Sequence, residues 1–120
     1  MWQDFCADLK LRYPSIIYAF LKKNESLWGE HWSCDWFGDL TDDEVSTITE
    51  SEGLNFSFRY EDYRLLRIND SVFTYESPLT SLAYTIQPTY KLIVIGDADS
   101  FRQCRSTVNY LISYLEDHRL

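Results

Sequence analysis

KLIVIGDADSFRQCRSTVNYLISYL, residues 91–115, holds two hydrophobic patterns that no single element can carry. Leu92 to Ile95 are apolar at four successive positions and leave no polar face. A strand there is buried on both sides and belongs in the middle of a sheet. Beyond it, Phe101, Cys104, Val108, Leu111, Ile112 and Leu115 recur at the helical period and form one stripe, with Ser100 and Gln103 spaced as a capping box. The pair predicts a central strand followed by a helix that lays its apolar stripe on the sheet.

Upstream, LAYTIQ between Pro78 and Pro88 predicts another strand. Leu54, Phe56, Phe58 and Tyr60 alternate with polar residues, and YRLLRI and SVFTYES follow tight breaks expected at Glu61-Asp62 and Asn69-Asp70, which reads as an antiparallel meander. Residues 42–50 send conflicting signals. Thr41 and Glu44 fit a capping box and hence a short helix from Asp42, while VSTIT is β-branched and alternating like a strand; both readings stay open, with helix favoured. Residues 25–43, with Gly29, Gly38 and no clean period, read as loop with at most a turn of helix. At the N-terminus, Trp2, Phe5, Cys6 and Leu9 are helically spaced. After Pro14 the i,i+4 pairs Ile16/Phe20 and Ile17/Leu21 run to Lys22 and Lys23, which suggests a helical hairpin or one kinked helix. The chain of 120 residues is thus expected to be a single α+β domain. It would have an N-terminal helix or helical hairpin, an antiparallel sheet of about four or five strands, and a C-terminal helix packed on the sheet.

Composition narrows the function classes. The net charge of −8 arises from 19 acidic and 11 basic side chains, and it is not spread evenly. Residues 24–58 contain Glu25, Glu30, Asp35, Asp39, Asp42, Asp43, Glu44, Glu50 and Glu52 with no lysine or arginine. That segment would repel a phosphate backbone, so direct nucleic-acid binding there is disfavoured. Three separated cysteines, Cys6, Cys34 and Cys104, show no paired spacing and suggest a reduced interior rather than a disulfide framework. The N-terminus is acidic where a secretory signal is basic, and IIYAFL is too short to cross a membrane, so a soluble cytoplasmic protein is expected.

The candidate chemistry is weighed on donor sets. His31 and Cys34 have the spacing of half a zinc site, with Cys6, Cys104 or His118 as distant partners, but a structural site normally shows two such pairs, and no metal or cofactor is expected. As base and nucleophile the same two residues lack an orienting group, and the acids around them would raise the thiol pKa. GDADS, residues 96–100, stands where α/β enzymes place metal-binding aspartates, though Asp97 and Asp99 serve equally as strand-to-helix punctuation. Arg59, Arg64 and Arg67 with Tyr60, Tyr63 and Tyr75 could form a base-stacking sheet surface, or a solvent face of mixed charge.

The remaining feature is LWGEHWSCDWFGDLTDDE, residues 27–44, in which Trp28, Trp32 and Trp36 recur every fourth position among acids. Core packing is one fate for such a stripe. The other is an interface of aromatic anchors ringed by charge. On that reading Trp28, Glu30, Trp32, Asp35, Trp36, Asp39, Asp42, Asp43 and Glu44 form a partner-binding surface on a small non-enzymatic module. Its partner would be a protein with a basic surface, which it inhibits or regulates as nuclease immunity, antirestriction and anti-CRISPR proteins do, with carboxylates standing in for phosphates. The alternatives are a metal-dependent enzyme using Asp97 and Asp99, and an adaptor docking through its aromatic surface.

Overall fold

The computed structural model describes residues 8, 9, 11–23, 29–33 and 39–117, with backbone only for 23 and 29–33. Its strands are β1 Ile16–Lys23, β2 Gly29–Ser33, β3 Phe56–Phe58, β4 Glu61–Asn69, β5 Val72–Glu76, β6 Thr80–Ile86 and β7 Tyr90–Asp97. Two helices, α1 Asp42–Thr49 and α2 Phe101–Asp117, complete the described elements. The strands form one sheet in the order β2-β1-β7-β6-β5-β4-β3, with every neighbouring pair antiparallel. The α+β class, the meander and the C-terminal helix agree with the sequence pattern. The sheet is larger than expected, with seven strands among the described residues.

The added strands come from the N-terminal third, where the expectation of a helical hairpin fails. Helical backbone is present at residues 8, 9, 11 and 12, but Ile16–Lys23 is a strand. The i,i+4 pairs Ile16/Phe20 and Ile17/Leu21 were a misleading signal. Every position from 16 to 21 is apolar, so the run matches a period of two as well as one of 3.6. Tertiary pairing decides between them. β1 lies against β7, with Ala19 opposite Val94, Phe20 opposite Ile93 and Leu21 opposite Leu92. Both strands lack a polar face, and all of Ile16–Leu21 and Leu92–Ile95 are buried. The strand β2, inside the segment read as loop, pairs with the outer side of β1.

Burial on both faces requires cover on both faces. On one, Cys104, Val108, Leu111 and Leu115 of α2 pack against Ala19, Leu21, Val72, Ala83, Leu92 and Val94, with Leu9 added from the N-terminal turn. This is the predicted stripe in its predicted place. The outlying Trp2, Phe5 and Cys6 of the N-terminal stripe lie outside the described residues. The opposite face is covered by Val45 and Ile48 of α1 over Tyr18, Phe20, Tyr63, Tyr75, Leu82, Tyr84, Ile93 and Ile95. A register shift between Ile16 and Tyr18 turns both Ile17 and Tyr18 toward this second face.

Local details correct the sequence reading at two points. The first hairpin turn falls at Arg59-Tyr60, with φ of 50° and 67°, rather than at Glu61-Asp62, which begin β4. The Asn69-Asp70 break is close to the mark, with Asp70 and Ser71 at 55° and 77°. Two successive left-handed residues suit a two-residue hairpin turn because they match the twist of the strands. At the start of α2, Ser100 Oγ donates to Asp97 O (2.5 Å) instead of closing a box with Gln103. The helix start approaches β7 tightly at Gly96. A Cβ on Gly96 would lie 2.4 Å from Ser100 Oγ and 2.9 Å from Cys104 Sγ.

Two substitutions test this packing. Leu111→Ala, at a fully buried position, should lower unfolding free energy by about 2–5 kcal/mol in urea titrations. Gly96→Ala should cost about 1–3 kcal/mol by overpacking the same junction without opening a cavity. Parental stability in either variant would show that α2 does not seat on the sheet in this way.

Candidate functional site

The acidic segment approaches the described structure at residues 39–44, and three devices hold it there. Thr41 caps α1: Glu44 N–H donates to Thr41 Oγ1 (3.2 Å) and Thr41 N–H donates to Glu44 Oε1 (2.9 Å), a complete capping box. This resolves the conflict over residues 42–50 in favour of helix, because the cap fixes the first turn while Val45 and Ile48 face the core. Leu40 N–H donates to the hydroxyl of Tyr18 (3.2 Å), which reaches across from β1. Burial pushes the Tyr18 phenol up to about 12, so it stays a neutral structural group.

The third device is Arg59, which the charge pattern alone did not single out for this role. Its Nε donates to Glu44 Oε2 at 2.7 Å, and its Nη2 donates to Glu44 Oε1 at 3.1 Å and to Asp39 O at 2.8 Å. The guanidinium also lies over the Phe58 ring, 5.3 Å from the centroid. Arg59 occupies a left-handed conformation that disfavours a Cβ, and such strain persists where surrounding contacts over-determine it. The clamp supplies those contacts. The sequence carried no clear signal for this role, because the turn was expected at Glu61-Asp62 and an arginine is unusual in the left-handed turn position that the structure gives it.

The result divides the acids. Asp39, Asp42 and Asp43 are exposed, and Asp42 and Asp43 make no ion pair among the described residues. Glu44 is committed to Arg59 and Thr41. Glu30 and Trp32 lie on β2, opposite Leu21 and Ala19 in the register with β1. Trp28, Asp35 and Trp36 lie outside the described residues. The structure therefore brings Asp39, Asp42, Asp43 and Glu44 together on one corner.

The other candidates separate. Cys104 is fully buried in the α2 stripe, and desolvation pushes its thiol up to about 12, the state of a small hydrophobe rather than a nucleophile. Cys6, Cys34 and His118 lie outside the described residues. Asp97 and Asp99 are exposed at the β7–α2 turn, where Asp97 N–H donates to Ser15 O and Asp97 O accepts from Ser100. Among the described residues no group of three or more His, Cys, Asp or Glu side chains converges on a metal position. The supposed stacking surface is also dispersed. Tyr63 and Tyr75 are core residues, Tyr60 projects fully into solvent, and Arg64 is paired with Glu76. Arg67 instead faces α2, where with Arg102 and Arg105 it lines an open groove. Arg102 and Arg105 were unremarked in the sequence, although arginines in the opening turns of a helix run against its dipole.

In architecture the chain is similar to profilin IA of Acanthamoeba castellanii, with a TM-score of 0.67, 14% identity and coverage of 100% of both chains. The fold is profilin-like. At this identity the likeness concerns architecture alone. No protein-family model matches the sequence, and no curated protein matches it at a significant level. Among the described residues of this profilin-like domain, no helix is long and apolar enough to cross a membrane.

The Arg59 clamp holds the Glu44 carboxylate below its ordinary value of 4.5. The ionised form is thus favoured by folding, and its contribution is present above pH 4.5 and lost as pH falls through the lower folded value. Glu44→Gln should cost about 1 kcal/mol at pH 7, given the partial exposure of the pair, and the gap from the parent should close on acidification below pH 4.5. Urea unfolding of both proteins at pH 7 and in the acid range measures this; a gap that widened in acid would overturn the assignment.

Proposed function

We propose that this protein is a non-catalytic protein-binding module that engages a basic surface of a protein partner through the acidic corner at Asp39, Asp42 and Asp43, and so inhibits or regulates that partner. One observation carries the reading: the acids at the start of α1 are divided in role. Glu44 is spent internally on Arg59, while its neighbours are held outward on a rigid frame. Acids in a first helical turn are partly explained by the helix dipole. Asp39 lies before the cap, however, and three exposed acids within residues 39–43 exceed what capping requires.

The mechanism is electrostatic steering followed by docking. Carboxylates on a fixed corner raise the rate of encounter with lysines and arginines and mimic the charge of a phosphate row. The tryptophans Trp28, Trp32 and Trp36, with Glu30 and Asp35, extend this surface in the proposal as anchors and further charge. Regulation would then follow from occupying the surface that the partner uses for a natural polyanion.

The reading is tested with the parent and an Asp39→Asn, Asp42→Asn, Asp43→Asn variant, each immobilised and exposed to lysate of the native host. A specific partner captured at low salt should associate about tenfold faster with the parent than with the variant, and the difference should shrink towards parity at about 0.5 M salt. Glu44→Gln should change stability while leaving the association rate within about twofold. Equal association of parent and triple variant at low salt would remove the acidic corner from the interface and favour an aromatic adaptor surface in its place.

A further inference from the structure

The sheet face that carries α2 ends at β4 in an open groove of about 530 Å³, lined by Leu66, Arg67, Thr74, Phe101, Arg102 and Arg105. Its charge is anomalous. The chain has 19 acids for 11 bases, and Arg59 and Arg64 both have carboxylate partners. Arg67, Arg102 and Arg105 have none among the described residues, and no acid lines the groove. The nearby acids Glu76, Asp62 and Asp99 line a separate hollow with Arg64.

Two further observations point to an anion-binding site. Arg102 and Arg105 are three residues apart on one helical face, in the opening turns of a helix whose first turn contains no acid. Each is therefore opposed by the other and by the positive end of the helix dipole. Independently, Thr74 on β5, registered opposite Arg67, is only 1% exposed, and its Oγ1 has no hydrogen-bond partner among the described residues. Buried hydroxyls are normally satisfied. An oxyanion in the groove would answer the three arginines and offer that hydroxyl an acceptor.

We propose that this groove binds a small phosphate ester. Arg67, Arg102 and Arg105 hold the phosphate, for which the planar guanidinium fork is suited, and Thr74 donates its hydroxyl. Phe101 and Leu66 flank the organic part of the ligand, and the groove volume lies within the range of small-molecule sites. Phe101 already carries the Arg102 guanidinium over its ring, 5.8 Å from the centroid, so the charged and apolar halves of the site adjoin. The site lies on the opposite face of the sheet from the acidic corner and is independent of the proposed protein-binding role.

The test is an NMR titration of the full chain with adenosine 5′-monophosphate, phenyl phosphate, inorganic phosphate and adenosine. The esters should shift the amide signals of Arg67, Thr74 and residues 101–105 saturably, at least about tenfold more tightly than inorganic phosphate, with adenosine inactive over the same range. Arg67→Gln and Arg105→Gln, at exposed and half-buried positions, should each weaken ester binding about tenfold while melting like the parent. Thr74→Val should melt higher than the parent, because it removes an unmatched hydroxyl, yet bind the esters more weakly. Absence of saturable shifts up to about 10 mM ester, equal affinity for inorganic phosphate, or ester binding that survives both arginine changes would each overturn the proposal.

Discussion

The structure depends on the pairing of two strands that have no polar face. β1 and β7 are buried from Ile16 to Leu21 and from Leu92 to Ile95 and lie side by side in the sheet. Neither could stand at an edge or face water without exposing several large side chains, each contributing about 1.5–3 kcal/mol on burial. The two helices follow from this. α2 seals one face through its stripe, and α1 with the segment leading into it seals the other. The N-terminal hairpin must return to the last strand of the meander, which ties the first third of the chain to the end of the sheet.

The second face is closed largely with tyrosine, and its hydroxyls determine how the surface above it is held. Tyr63 meets Thr80 Oγ1 (2.5 Å), while Tyr75 and Tyr84 both reach Ser51 Oγ just beyond α1 (3.1 and 3.0 Å). Tyr18 accepts from Leu40 N–H. Each ring contributes apolar area and each hydroxyl must find a partner. Leu40 and Ser51 lie in the loops flanking α1, while Thr80 holds Tyr63 from β6, so packing of the core also positions the acidic corner. Core and candidate interface are mechanically one unit on this face.

Charge is segregated by the same architecture. Acids cluster at the entry to α1 on one side of the sheet, while Arg67, Arg102 and Arg105 gather where α2 stops covering the other. The sheet between them is apolar on both faces, so the two sets do not neutralise each other by contact. The proposed phosphate site and the proposed phosphate-mimicking corner are compatible in one small domain because the hydrophobic layer keeps them apart.

Much of this was determined by sequence where local periodicity and local capping agree. The α2 stripe, the buried β7 run, and the Thr41–Glu44 capping box are short-range features whose physics involves residues a few positions apart. The acidic excess of residues 24–58 was equally plain, but its division into outward Asp39, Asp42 and Asp43 and inward Glu44 was not, since that depends on Arg59 fifteen positions beyond Glu44. The same limit applies to Ile16–Leu21, whose continuous apolar run fits either period until β7 supplies a partner. It applies also to Arg67, Arg102 and Arg105, which meet across a strand-helix junction. Only the tertiary structure decided these points, because ion pairing, strand choice and groove formation are set by which distant segments the buried sheet brings together.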